Sequence, residues 1–170
     1  MLASCKQVGY IKTMLGRTYD REICSAARAL EIAGERWSLL ILRNAMFAGM
    51  TRFTEFQDSL GIAPNVLASR LKHFVETGIM ETSGEGGDGH EAYLLTPKGL
   101  DFKPVIVALT EWGDRWAAPE GPPIVCEHDG CGGRVSLTLS CAKCGERPEL
   151  GDVAARKTAV MERLRAGRKG

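Results

Sequence analysis

No stretch of this 170-residue chain stays hydrophobic for long. A membrane-spanning helix needs about 20 apolar residues in a row, and no run comes near that. The opening Met-Leu-Ala-Ser-Cys-Lys-Gln lacks the apolar centre of a signal peptide. A cytoplasmic protein is therefore expected. An excess of one charge is also lacking: 22 Lys and Arg face 21 Asp and Glu, for a net +1. Such a balance does not by itself mark a nucleic-acid binder, so any basic surface has to be local. Residues 1–20 lack periodicity and read as an arm. Residues 124–150 lack the large apolar side chains of a core. Cysteine is present six times, with four between Cys126 and Cys144. In a reducing compartment such thiols are free, metal-bound or redox-active rather than structural disulfides.

What is there has the size and the apolar and charged fractions of one ordinary globular core with a small satellite. Ala26, Leu30 and Ala33 recur at helical spacing, and Gly34 closes that helix. Trp37 to Phe47 is a second helix. Its Leu39-Leu40-Ile41-Leu42 run is apolar all round, which predicts burial on two sides, one of them against a partner subunit. Phe53, Phe56 and Leu60 give a short helix one buried face, and Gly61 ends it. Pro64 suits the first turn of the next helix, where a missing N–H costs nothing. Leu67, Leu71, Phe74 and Val75 form that helix's buried stripe, and Gly78 stops it. Two strand-like runs, Ile79 to Ser83 and Glu91 to Leu95, flank a loop with Gly84, Gly86, Gly87 and Gly89. No helix follows these glycines, so a hairpin fits far better than a dinucleotide-binding turn. Thr96-Pro97 caps a last long helix carrying Leu100, Val105, Leu109, Trp112 and Trp116, which Pro104 must kink or interrupt.

Helix, turn, helix, hairpin is the order of a winged helix-turn-helix. The second helix of such a unit protrudes and fits a DNA major groove. Asn65, Ser69 and Lys72 lie opposite its buried stripe, with Arg70 and His73 flanking and Pro64 at its start. Asn pairs bidentately with adenine and Arg with guanine, while Ser and Lys reach bases or phosphates. A polar helix face alone is ordinary solvated surface; here its setting favours DNA.

The residues in this order resemble a known family. They are Cys24, Ala29-Leu30, Gly34-Glu35-Arg36-Trp37, Leu40-Ile41-Leu42-Arg43, Arg52-Phe53, Gly61-Ile62, Leu67-x-x-Arg70-Leu71 and Gly78. Tyr93-x-Leu95-Thr96-x-x-Gly99 and Trp112-Gly113 follow. The match, over about residues 18 to 117, is to the HxlR-type regulators. The resemblance implies a MarR-like winged helix, a homodimer built from terminal helices, near-palindromic operators, and no enzymatic activity. The expected DNA-binding set is Arg52, Pro64, Asn65, Ser69, Arg70, Lys72 and His73. One departure stands out. Between Ile79 and Leu95 there is no Lys or Arg, while Glu81, Glu85, Asp88 and Glu91 are present. An acidic wing is repelled by the minor groove, whose narrow tracts attract cations. Arg156, Lys157, Arg163, Arg165, Arg168 and Lys169 stand as a basic substitute, or as a solvated tail.

His128-x-x-Cys131-Gly and Cys141-x-x-Cys144-Gly are matching knuckles, and four such ligands suit tetrahedral zinc. Cys126 is the alternative to His128. Arg134 to Leu139 alternates like a strand between the knuckles, so a zinc ribbon is expected, with zinc in a structural role. A zinc deaminase is disfavoured: Gly130 stands where its Glu belongs, and Ser140 precedes Cys141. Cys24 opens the first helix, a place that lowers a thiol pKa, and the resemblance includes members that sense oxidants there. It is the redox-sensing candidate, weighed against simple packing, with Cys5 an unassigned neighbour.

The expectation is a mainly α protein with a small β-wing. Its parts are an arm (1–20), a winged helix-turn-helix domain (21–117), a linker (118–123), a zinc-ribbon-like module (124–150) and a basic tail (151–170). The partners expected are double-stranded DNA and a second copy of the chain, with no membrane, and an effector, redox or small-molecule, left open. The alternative is a winged-helix module that binds protein and has lost DNA affinity.

Overall fold

The computed structural model describes Tyr19, residues 22–84 and residues 91–167. Most of the expected arm, the wing loop with Glu85, Gly86, Gly87, Asp88 and Gly89, and the tail residues Arg168 and Lys169 lie outside these. Two helices open the fold, α1 (Ser25–Ala33) and α2 (Arg36–Phe47), followed by α3 (Phe53–Leu60) and α4 (Pro64–Glu76). An antiparallel pair comes next, β1 (Met80–Ser83) and β2 (Ala92–Leu95), in the register Met80 to Leu95 and Ser83 to Ala92. Then come α5 (Pro97–Leu100) and α6 (Lys103–Trp116). Among the described residues no helix is long and apolar enough to cross a membrane.

The core is one cluster. Ile41 and Leu42 of α2, Phe56 of α3, Ile62 of the turn, and Leu67, Leu71 and Phe74 of α4 are buried in it, with Ile79, Met80 and Ile106. Leu39 and Leu40 are only partly covered, so α2 keeps a second apolar side. Ser38 and Asn44 of α2 are the buried polar residues, and Asn44 is paired: its amide donates to Ser59 Oγ at 3.0 Å while its oxygen accepts from Arg43. Buried polar groups are tolerated when paired in this way.

Each helix end has a local cause. Glu55 accepts from the N–H groups of Thr51 (2.8 Å) and Arg52 (2.9 Å), just ahead of α3. The Arg52 and Thr51 N–H bonds hold the Glu55 pKa below its usual value. That support is complete above the ordinary glutamate range and is lost as pH falls through the lowered value. Gly61 ends α3 at φ 59°. Gly78, at φ 70°, closes α4: its N–H reaches Val75 and the N–H of Ile79 reaches Phe74. These two bonds make a Schellman stop, for which a left-handed residue is needed.

The wing is tied down at its base. The N–H of Tyr93 donates to Thr51 O at 2.8 Å and Arg52 bridges to Ala92, so the lead-in to α3 edges the hairpin. Thr96 Oγ1 accepts from Gly99 N–H (3.1 Å) and donates to Gly78 O (2.7 Å). Pro104 interrupts the long helix as expected, but by splitting it: α5 stops at Leu100 and Pro104 sits in the first turn of α6.

Beyond α6 the chain differs from a ribbon. Only Glu127–His128 (β3) and Gly133–Arg134 (β4) pair. Past the Val135 N–H bond to the Cys126 carbonyl, the alternating run to Leu139 forms no further strand. The N–H of Leu137 instead faces Glu111 of α6 at 3.3 Å. A short helix that periodicity did not announce, α7 (Ala159–Ala166), follows, with Thr158 as its N-cap.

A Cβ on Gly99 would overlap the carbonyl oxygen of Ile79. Gly99→Ala must therefore push the α5 turn off the wing base. We expect a loss of about 1–3 kcal/mol, the usual cost of overpacking that moves backbone, read from chemical denaturation. Unchanged stability would contradict this junction.

Candidate nucleic-acid interface

The interface is built from the buried stripe of α4 outward. Leu67, Leu71 and Phe74 have no exposed surface. At 100° per residue, the opposite face then carries Asn65, Ala68, Ser69 and Lys72, and all four are exposed. Pro64, at the first position of α4, is exposed beside them. Ile62 plugs the turn into the core, so α4 starts rigidly after α3. Lys72 lies 3.8 Å from Glu76, a surface pair worth at most about 1 kcal/mol and easily exchanged for a phosphate. Arg52, at the start of α3, and His73, toward the end of α4, are half-buried at the margins.

Arg70 lies elsewhere. Its side chain is only 13% exposed and reaches back to Glu35, the N-cap of α2, at 3.5 Å. Its Nε is buried without a hydrogen-bond partner. Sequence reasoning placed Arg70 at the edge of the groove-reading face; the structure turns it toward the body of the domain. Glu35 was missed, and no local pattern could have shown it, since the two residues meet only through tertiary packing.

Glu81 on β1 and Glu91 just ahead of β2 are exposed. Tyr93 OH donates to Glu91 at 3.4 Å. Its pKa is raised by burial, with help from the Glu91 charge. The described part of the wing thus presents acid where DNA would want base.

A different surface is open on α6. Val105, Leu109, Trp112 and Trp116 follow one another at helical spacing and are about half exposed or more, with Trp116 at 69%. On α1, Leu30 is likewise exposed. Only Ile106 and Val107 of α6 are buried.

In the appendage, each knuckle forms by itself. The N–H groups of Cys131 and Gly132 both reach the carbonyl of His128, and Gly132 takes φ 68°. Gly145 N–H reaches the carbonyl of Cys141, and Gly145 takes φ 75°. His128 Nδ1 is 3.3 Å from Cys131 Sγ. The N–H groups of Cys144 and then Lys143 lower the Cys141 pKa, with the Cys144 side chain adding to them. Cys126 is half-buried beside the first knuckle, its carbonyl accepting from Val135 N–H. Among the described residues, however, no three His, Cys, Asp or Glu side chains gather around one point as a metal cage. Arg134 joins Asp114 of α6 at 3.3 Å, which ties the appendage to the domain. Cys24 is exposed at the N-cap of α1, with no hydrogen bond from its side chain to the helix. Cys5 lies outside the described residues.

Residues 32–121 match the model of the HxlR-like helix-turn-helix family. The chain belongs to this family. It is 46% identical over 125 residues to uncharacterized HTH-type transcriptional regulators of Mycobacterium tuberculosis and Mycobacterium bovis, spanning 72% of this chain and 78% of each relative. The crystal structure of PA1607, a transcription-factor candidate, superposes with a TM-score of 0.75 at 35% identity. It covers 84% of this chain and 100% of that one. A second such structure, PA1374 from Pseudomonas aeruginosa, gives 0.57 at 34% identity, over 83% and 100%. Both shares exceed what everything up to Gly121 could supply. The likeness of this HxlR-like chain to solved structures therefore runs into the appendage.

On the exposed face, Asn65 suits a base contact and Lys72 a phosphate contact. Asn65→Ala should cost about 1–3 kcal/mol on a genuine operator and relax specificity at one position. Lys72→Ala should weaken all duplexes alike and reduce the magnitude of the log-log salt slope by about 0.9. If both variants bind like wild type at fixed salt, α4 does not enter the groove.

Proposed function

We infer that this HxlR-like chain, a DNA-binding transcriptional regulator, acts as a homodimer that sets two copies of α4 into successive major grooves of a near-palindromic operator. The observation that carries this reading is the open polar face of α4 raised on a fully buried stripe. The bare apolar row on α6, continued by Leu30, supports a protein–protein contact, and a second copy is the partner a two-fold regulator needs. Because the described wing is acidic, phosphate contacts are assigned to the exposed Arg156, Lys157, Arg163 and Arg165. Cys24 is offered as a regulatory thiol; equal alkylation rates for Cys24 and an ordinary exposed thiol across pH would remove it.

The appendage is proposed to hold a structural zinc ion on His128, Cys131, Cys141 and Cys144, with Cys126 as the alternative to His128. The two like-shaped knuckles and the lowered Cys141 pKa support this. So does the lack of any buried side chain from residue 118 to 167, since so small a unit needs a staple. The separated knuckles count against it, and binding would require them to close together.

The DNA test uses the inverted repeat nearest the chain's own gene. Purified protein should shift it far more tightly than a random duplex, and removal of residues 152–170 should flatten the salt dependence. Equal affinity for both duplexes would favour the protein-binding alternative that the acidic wing suggests. For zinc, metal analysis of protein prepared without chelator should give about one equivalent per chain, as a four-ligand site requires. Full occupancy in His128→Ala with loss in Cys126→Ala would reassign the fourth ligand. Absence of metal would remove zinc altogether.

A further inference from the structure

We propose that Arg70 is a positioning residue that latches the DNA-reading helix to Glu35, and that it does not itself read a base. The proposal rests on the DNA-binding reading above and names how α4 is held for that task.

Three observations support it. The guanidinium is largely buried and ends 3.5 Å from the Glu35 carboxylate, not on the face shared by Asn65, Ser69 and Lys72. The backbone of Glu35 is held in place. This residue is the N-cap of α2, its carbonyl accepts from Ser38 N–H (2.9 Å) and Leu39 N–H (3.4 Å), and the preceding Gly34 has no room for a Cβ against the Leu30 carbonyl. The corner between α1 and α2 is thus a rigid anchor. Finally, the latch is poorly optimised for stability alone. Glu35 is 60% exposed, so the ion pair is screened, while Arg70 Nε and the nearby-in-sequence Ser38 Oγ of α2 are buried without partners. An unpaired buried donor costs more than a screened surface pair returns. Arg70 and Glu35 together join the start of α2 to the middle of α4, which sets the fine rotation of α4 within the orientation that its buried stripe imposes. That rotation decides whether Asn65 and Ser69 face base edges.

The experiment uses full-length Glu35→Gln, Arg70→Gln and the double variant. It reads affinity for the wild-type operator and for a random duplex across salt, together with amide hydrogen exchange in the free protein. Removing an acid from a DNA-binding domain should tighten binding by simple electrostatics, and so should freeing an arginine to reach DNA. The latch predicts the opposite. Glu35→Gln should weaken operator binding on the order of tenfold, as for coupled neighbours, with random-duplex affinity and salt slope unchanged. Amides of α4 should exchange faster while those of α6 do not. The double variant should bind no worse than Arg70→Gln alone. Tighter or unchanged operator binding by Glu35→Gln overturns the proposal. So does a fall of about 0.9 in the salt slope of Arg70→Gln, the mark of a lost phosphate contact. Should Arg70→Gln fail to fold, Glu35→Gln, altered at an exposed side chain, still decides. If the wild type prefers no duplex, the functional reading fails while the exchange data still test the latch.

Discussion

The structure depends on the burial of one stripe. Leu67, Leu71 and Phe74 of α4 are wholly covered by a cluster that includes Ile41 and Leu42 of α2 and Phe56 of α3. Each such side chain contributes roughly 1.5–3 kcal/mol by leaving water. The same burial orients the helix. With three residues locked inward, Asn65, Ser69 and Lys72 have no direction left but outward. The Gly61 turn and the Ile62 plug set where α4 begins, and the Gly78 stop sets where it ends. Core packing and DNA-reading geometry are thus two consequences of one pattern.

Much of this was legible because it is periodic or local. The 3.6-residue spacing on α3 and α4, glycines at helix ends, Pro64 at a first turn and Thr96 as a cap each act within a few residues. The rest was not legible for reasons of the same kind. Arg70 lies at an angle between the buried Leu71 and the exposed Ser69, so a helical wheel leaves its direction open. Only contact with Glu35, distant in sequence, decides it. The run from Arg134 to Leu139 has the alternation of a strand, but alternation makes a strand only when a neighbour supplies a ladder. Helix α7 has no buried face, so its apolar residues carried no periodic contrast strong enough to read.

Two unlike surfaces stand out, and the proposed reading gives each its own part of recognition. The α6 row of Val105, Leu109, Trp112 and Trp116 is apolar and bare, suited to a second copy of the chain. The wing is acidic where it is described, while cationic side chains collect in the last segment. A chain with a net charge of only +1 can still bind DNA if its charges are sorted this way in space. Under the proposed reading, the acidic wing keeps the hairpin from a phosphate backbone and sequence reading falls to α4. Ties from Asp114 to Arg134 and from Glu111 to the Leu137 N–H run from the helix with the apolar row into the appendage. The appendage is thus joined to the helix that carries the proposed dimer face.

The central claim is that two copies of α4 read successive major grooves. Hydroxyl-radical and major-groove methylation footprints of the full-length protein on its operator test it most directly. The account predicts two related half-sites on one face of the duplex, with major-groove protection centred about 34–36 Å apart, one helical turn. Protection confined to the minor groove, or a single unpaired half-site, would contradict it.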